Sequence, residues 1–196
     1  VLPLEHFRGI TLTTWLVRYG PGAKGDKTAN LMARTDLWMR LAQTIDEAHQ
    51  QGVVHRLLRP DVILVEDCPE PQEVRITGFD LAKQLSLETT VSLTTIGDER
   101  LQLAAPEVVT AFSSAEPASD QFSLGAILAL LLTGQPLFDS TRALLATRRL
   151  LRRVRDLAQR IPLSLDEAVT RMVALRPTDR FPSLSEAIKA VRRGRD

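Results

Sequence analysis

The sequence predicts a mainly α-helical domain with a minor β hairpin. Residues 122–132 are apolar almost all round, which is typical of a helix buried on every face. Residues 35–52 repeat apolar side chains at helical spacing. The short runs 62–65 and 74–76 are rich in β-branched residues, and the turn-like segment between them favours a small hairpin.

The other elements follow in chain order. Residues 11–17 indicate the end of a strand that leads into a short helix, and the glycines that follow indicate a loop insertion over 18–34. Thr35 is the predicted N-cap of the next helix, which Gly52 ends. Further helices are predicted at 144–157, where the pattern is amphipathic and rich in arginine, and at 164–175 and 183–193.

Composition narrows the classes of function. A chain of 196 residues with 44% hydrophobic and 25% charged residues is ordinary for one globular domain. Its formal charge of +1 gives no general attraction to nucleic acid or to an acidic membrane. Cys68 is the single cysteine, no apolar stretch is long enough to span a bilayer, and no secretion signal is present, so we expect a cytoplasmic protein. The chain does not begin with Met, so we expect it to be cut from a longer protein.

Several motifs occur in a fixed order along the chain. Residues 53–65 read VVHRLLRPDVILV, and residues 76–83 read ITGFDLAK. Ala-Pro-Glu follows at 105–107, then SDQFSLG at 119–125, and RPTDR much later at 176–180. Together these segments resemble the eukaryotic-type (Hanks-type) serine/threonine protein kinase family. The resemblance covers nearly the whole chain and implies the C-terminal lobe of a protein-kinase-like fold.

The resemblance assigns chemical roles to positions that have changed. Leu57 stands where the family has the aspartate that accepts the substrate proton, Val62 stands where an asparagine binds magnesium, and Gly78 stands where an aspartate bridges magnesium to phosphates. Arg59 replaces a lysine that touches the transferred phosphate. These replacements predict a pseudokinase, a regulatory or protein-interaction module with no cofactor.

The alternative is a divergent serine/threonine-type kinase that uses a displaced acid. Asp61 lies beside Val62, and Asp80 lies two residues beyond Gly78, so either carboxylate is a candidate for a shifted magnesium site. Only this alternative requires ATP and magnesium. The plainer interpretation is that Asp61 is a solvated turn residue and that Asp80 is a loop-terminal residue.

The resemblance also implies structural roles at positions that are kept. His55 and Phe79 would belong to an apolar column that ties the two lobes together, and Asp120 would hold the backbone of the catalytic loop. Glu107 and Arg180 would form a buried ion pair beneath the activation segment, residues 78–107. Fold-supporting residues are therefore predicted to persist where the chemistry has been lost.

Nucleotide contacts are expected near the start of the chain if they exist. By resemblance, residues 1–17 would form the hinge and the first helix, with Glu5 and Phe7 facing an adenine and Leu64 beneath it. A plain connector explains residues 5–7 equally well. The glycine-rich loop and the phosphate-gripping lysine of the family would belong to an N-terminal lobe outside this chain.

Surface features suggest a protein partner. The segment from Arg148 to Arg155 is predicted to form an amphipathic helix with one basic face, which is either a solvated surface or a docking site for an acidic partner. Nucleic acid is disfavoured as a partner because no aromatic residues are interleaved with the arginines.

Arg56 is a candidate to hold a phosphate on the hydroxyl-rich activation segment. His49 is interpreted as a surface residue, and the histidines and Cys68 show no metal-ligand spacing.

Overall fold

The computed structural model describes residues 7–23, 29–79, 101–147 and 152–195. It confirms the mainly α-helical fold with a small β element. In this part of the chain, no helix has both the length and the apolar character that a membrane span requires.

A small antiparallel sheet lies at one end of the helical body. Its strands are β1 (Ile10–Thr11), β2 (Ile63–Val65) and β3 (Val74–Ile76), with β2 in the centre. Ile63 pairs with Ile76 and Val65 with Val74, which confirms the predicted hairpin. Ile10 pairs with Val65 on the other side, so the strand end before the first helix completes the sheet.

The first two helices begin at side-chain caps. In α1 (Leu12–Tyr19), the Thr11 hydroxyl accepts the backbone N–H of Thr14 at 3.2 Å. In α2 (Leu31–Gln50), the Asn30 side-chain oxygen accepts the N–H of Ala33 at 2.8 Å. These contacts satisfy N–H groups that have no partner within the helix.

The predicted start of the second helix at Thr35 is wrong, and the predicted loop at 18–34 is too long. Asn30 provides the cap one turn earlier. The Thr35 hydroxyl instead donates to the carbonyls of Leu31 and Met32, both at 2.9 Å, inside the helix. Threonine can cap a helix or bond back to the preceding turn, so its presence alone does not fix a boundary.

The C-terminal half is built around one buried helix. Its helices are α3 (Pro106–Thr110), α4 (Pro117–Thr133), α5 (Thr141–Thr147), α6 (Val154–Leu157), α7 (Leu163–Met172) and α8 (Leu184–Arg195). Helices α2, α7 and α8 pack against α4, and α8 also packs against α2 and α7; the Trp38 indole donates to the Leu124 carbonyl at 2.8 Å. Helix α4 ends at Gly134, whose φ of 73° is the left-handed conformation that glycine adopts readily. The predicted all-round buried helix is confirmed.

The prediction of one continuous amphipathic helix over 144–157 is wrong. Helix α5 is described as far as Thr147, and Arg153 has an extended backbone with φ −95° and ψ 158° before α6 begins. Residues 148–151 lie outside the described part of the chain. The Asp156 carboxylate accepts the Arg153 N–H at 2.9 Å, and Asp166 binds its guanidinium at 2.6 Å. One local and one tertiary contact therefore hold Arg153 outside a helix, despite the helical spacing of the apolar residues.

Candidate functional site

The loop over residues 55–62 lies between α2 and β2, and Asp120 of α4 fixes its backbone. The Asp120 side chain is fully buried. Its Oδ2 accepts the N–H of His55 at 2.8 Å, and its Oδ1 accepts the N–H of Arg56 at 2.6 Å. Charge-assisted bonds of this kind are among the stronger hydrogen bonds in proteins, so one carboxylate determines the path of the loop.

His49 provides a third donor to the same carboxylate. Its Nε2 lies 2.9 Å from Asp120 Oδ2, and its side chain is only 9% exposed. The interpretation of His49 as a surface residue is therefore wrong. The signal that could have found it is helical spacing, because Ile45 is buried one turn earlier on the same face of α2. The glutamines beside His49 obscured that pattern.

Arg56 has a strained backbone that this anchor supports. Its φ is 74°, in the left-handed region that costs free energy for residues other than glycine. The short bond from its N–H to Asp120 helps to hold that conformation, and its guanidinium lies 5.5 Å from the centre of the Phe112 ring. The hydroxyl-bearing residues of the activation segment that Arg56 was expected to meet lie within 80–100, outside the described residues.

His55 connects the loop to the segment after β3. Its Nε2 lies 2.9 Å from the Thr77 carbonyl oxygen, which can only accept, so the ring proton is on Nε2. The rings of His55 and Phe79 meet edge to face, with their centres 4.7 Å apart. Burial lowers the pKa of His55, which favours the neutral ring. The pair fixes the position of Gly78 relative to the loop.

The three replaced positions carry no polar side chain. Leu57 is 6% exposed and belongs to the hydrophobic core, while Val62 is partly buried against it. A Cβ placed on Gly78 would lie 3.7 Å from Val62 Cγ1 and 3.7 Å from His55 Nε2. The structure thus places the Val62 side chain beside Gly78. Neither supplies an oxygen ligand, and Leu57 offers no proton acceptor.

The two remaining charged groups of the loop bind each other. Arg59 Nε lies 2.7 Å from Asp61 Oδ1 and 2.8 Å from its Oδ2. Asp61 therefore already has a cationic partner, although its side chain is 53% exposed. Asp80 lies outside the described residues. Among the residues that are described, no group of three or more His, Cys, Asp or Glu side chains has an arrangement suited to a metal ion.

Of the three residues expected to contact adenine, the structure describes Phe7 and Leu64. Glu5 lies outside the described residues. The Phe7 ring lies 5.8 Å from the Arg75 guanidinium, and Leu64 is a half-buried member of β2 that pairs with Thr11 and Arg75. No contact of these residues identifies a nucleotide site.

The ion pair between Glu107 and Arg180 lies beneath α3. Arg180 Nη1 is 2.7 Å from Glu107 Oε1, and Nη2 is 2.9 Å from Oε2, which makes the pair bidentate. The Arg180 side chain is fully buried and also donates to the carbonyls of Ala118 and Ala174. Burial would raise the pKa of Glu107, but the bonds and charge of Arg180 outweigh that effect and hold the pKa below its usual value.

The fold and this loop define the helical lobe of a protein kinase. The chain belongs to the protein kinase domain family, whose model matches residues 2–190. It is 27% identical over 192 residues to the probable serine/threonine-protein kinase PknB of Lactococcus lactis, covering 96% of this chain and 29% of that protein. It is 30% identical over 175 residues to the serine/threonine-protein kinase PknK of Mycobacterium tuberculosis, covering 87% of this chain and 15% of that protein.

Solved structures agree with this assignment. The kinase domain of Mycobacterium tuberculosis PknI superposes with a TM-score of 0.66 at 20% sequence identity, over 95% of this chain and 62% of that domain. At this identity the likeness concerns the fold alone. The chain spans less than a third of the curated relatives described above and under two thirds of the PknI kinase domain.

Proposed function

We propose that this chain is a pseudokinase domain, a non-catalytic module that regulates or binds another protein. The observation that carries the proposal is the contrast within one loop. Asp120 holds the backbone of the loop through His55 and Arg56, yet the positions matching the family's proton acceptor and metal ligands are Leu57, Val62 and Gly78.

Phosphoryl transfer depends on positioning and on neutralising negative charge with metal ions. Magnesium takes oxygen ligands at near-ideal octahedral geometry. The residues present do not fit such an ion, because Val62 provides an alkyl group and Gly78 has no side chain. A general base contributes about 10² to 10⁴-fold to a rate, and Leu57 offers none. Loss of the base and both ligands removes the reaction rather than slowing it.

The displaced-acid kinase receives less support from the structure. Asp61 would have to leave Arg59 before binding magnesium, and that pairing also keeps the Arg59 Nε away from a phosphate. Asp80 remains the other candidate for this activity. A non-catalytic function that acts through a protein partner accounts for both observations. It requires the folded loop that Asp120 holds, and it does not require a proton acceptor or metal ligands in that loop.

The test is incorporation of radiolabelled phosphate from ATP into a generic protein substrate and into the chain itself, with and without magnesium. We expect no incorporation above a blank without protein. Asp61→Asn and Asp80→Asn should leave that result unchanged, as should Asp139→Asn, which removes an exposed acid elsewhere. Incorporation that is lost in Asp61→Asn or Asp80→Asn but kept in Asp139→Asn would overturn the pseudokinase assignment and establish a displaced acid. The same assay on a longer polypeptide containing this chain tests the assignment in its wider context.

A further inference from the structure

We propose that the arginine-rich segment 152–160 is a docking surface for an acidic segment of a partner protein. This inference rests on the proposed non-catalytic function, because it names the chemistry of the partner that such a module would bind. Four features of the molecule carry it: concentrated charge, fixed backbone, exposed guanidinium groups and a lack of aromatic side chains.

Charge is concentrated around this segment. From Arg142 to Arg160 the sequence has seven arginines, no lysine, and Asp156 as its one acidic residue. This stretch carries +6 in a chain whose formal charge is +1, so the rest of the chain carries −5. Like charges at close range repel one another, and a complementary partner removes that repulsion.

Buried contacts fix the backbone of the segment on both sides. Val154 is 1% exposed and Ile161 is 6% exposed, so each end is anchored in the core. The Arg153 guanidinium binds Asp166, whose side chain is 1% exposed, at 2.6 Å. The arginines between these anchors are therefore displayed on an ordered backbone, which reduces the entropy lost when a partner binds.

Two acidic residues in or near the segment, Asp156 and Asp166, are bound within the domain. Asp156 accepts the N–H of Arg153 at 2.9 Å, and Asp166 binds the Arg153 side chain. Among the described residues, Arg152 donates to the neutral Gln135 side chain, at 3.2 Å, and to no carboxylate. Arg155 and Arg160 are exposed and form no ion pair with any described residue. Arg153 is thus an anchor, and the guanidinium groups of Arg155 and Arg160 are available to a partner.

The chemistry favours carboxylates over nucleic acid. A guanidinium group matches a carboxylate with two parallel hydrogen bonds. Proteins that bind single-stranded nucleic acid combine basic grooves with aromatic side chains on which bases stack. Residues 139–180 contain no Phe, Trp or Tyr, so this surface lacks such a platform.

The experiment uses fluorescence anisotropy with a fluorescein-labelled oligo-glutamate peptide, and an oligo-glutamine peptide of equal length as its neutral control. We expect the chain to bind the acidic peptide, with an affinity that falls as salt is added. Charge reversal in Arg155→Glu with Arg160→Glu should weaken binding by about tenfold, from two lost exposed pairs and the added repulsion. The matched control is Arg192→Glu with Arg193→Glu, the same change at exposed positions of α8.

Three outcomes overturn the proposal. The first is an equal loss in the α8 control, which would mean that binding follows net charge only. The second is unchanged binding after reversal at 155 and 160, and the third is tighter binding of labelled oligothymidylate than of the peptide. If the reversal variant melts earlier than the parent chain, Arg155→Gln with Arg160→Gln repeats the test without added negative charge. Phosphate transfer is measured separately, so its presence would overturn the proposed function while peptide binding reports on this surface alone.

Discussion

The two sides of the loop over residues 55–62 differ in which polar groups they contain. On the α4 side, Asp120 accepts three hydrogen bonds, from His49 and from the backbone of His55 and Arg56. On the side where phosphate would react in a kinase, Leu57, Val62 and Gly78 provide only hydrocarbon or hydrogen. The anchor of the loop is intact, whereas the groups that it would position are replaced.

The difference shows which constraints belong to folding. A buried carboxylate or guanidinium that loses its partner leaves an uncompensated charge, so Asp120, Glu107 and Arg180 are needed for stability whether or not the domain reacts. A leucine at position 57 carries no such penalty, because it joins the core. Under the proposed loss of catalysis, the buried polar network would keep the same physical requirement for its partners.

The largest expected effect is at the buried ion pair. Glu107→Ala or Arg180→Ala should each lower the free energy of unfolding by about 3 kcal/mol or more, because each leaves a buried charge without its partner. Chemical denaturation of the two single variants and the double variant measures the cost and the coupling. Single effects within about 0.5 kcal/mol of the parent, as at ordinary surface sites, would contradict the buried pair.

The same pair predicts the direction of an acid effect. The folded pKa of Glu107 lies below its usual value, so the stabilisation is present above the unfolded pKa and is lost as the pH falls through the folded pKa. Glu107→Ala should remove this part of the acid sensitivity. A stability difference between parent and variant that does not shrink at low pH would contradict the assigned charge state.

The next effect in size is at the loop anchor. Asp120→Asn keeps the shape of the side chain but replaces one acceptor oxygen with a donor, so at least one of its three buried donors loses its partner. We expect a cost of about 2 kcal/mol in urea denaturation. Asp179→Asn is the matched control, because Asp179 is exposed and its change should cost less than about 0.5 kcal/mol. Equal costs at the two sites would mean that the anchor carries no special stability.

Prediction from sequence was most successful where periodicity alone decides the structure. The buried helix α4 and the hairpin of β2 and β3 follow from apolar pattern and turn residues. It was least successful where a distant carboxylate decides. The His49 side chain is hydrogen-bonded to Asp120, and the helix predicted over 144–157 is interrupted at Arg153, whose guanidinium binds Asp166 and whose N–H is capped by the nearby Asp156. The apolar pattern can indicate that a side chain is buried, as Ile45 does for His49, but it does not identify the carboxylate that binds it.

At the site, the sequence resemblance identified the replaced positions, but it could not predict how the remaining charged side chains pair with one another. It placed Leu57, Val62 and Gly78 at replaced positions, whereas the mutual ion pair of Arg59 and Asp61 depends on side-chain geometry. Spacing alone allows Asp61 to be a metal ligand or a partner of Arg59. In the structure, Asp61 is paired with Arg59.

A smaller effect tests whether the replaced side of the loop could accept an acid again. Gly78 has φ 91°, and a Cβ there would meet its neighbours at ordinary contact distances. Aspartate tolerates left-handed conformations better than a β-branched residue, so Gly78→Asp should cost about 1 kcal/mol and Gly78→Val about 2 to 3 kcal/mol. Gly22, with φ 85° and no neighbour within 4 Å, gives matched variants that report backbone strain alone. A larger cost for aspartate than for valine at position 78, without the same order at position 22, would show that the surrounding site rejects a carboxylate.

The smallest expected effect is the response to nucleotide, which should be none. Val62 and Gly78 provide no side-chain ligand for the magnesium that normally accompanies ATP, and Leu64 is a half-buried residue of β2. A ligand at 100 times its dissociation constant would stabilise the fold by about 2.7 kcal/mol, which a thermal melt detects readily. We therefore expect the melting temperature to be unchanged by ATP, with or without magnesium, while a kinase domain with intact ligands shows a rise under the same conditions. A rise in this chain that Leu64→Glu abolishes would establish an adenine site beside β2 and would extend the kept architecture to the nucleotide cleft. A rise that survives Leu64→Glu would instead place the nucleotide on another surface, and the arginine-rich segment 152–160 would be the first place to look for its phosphates.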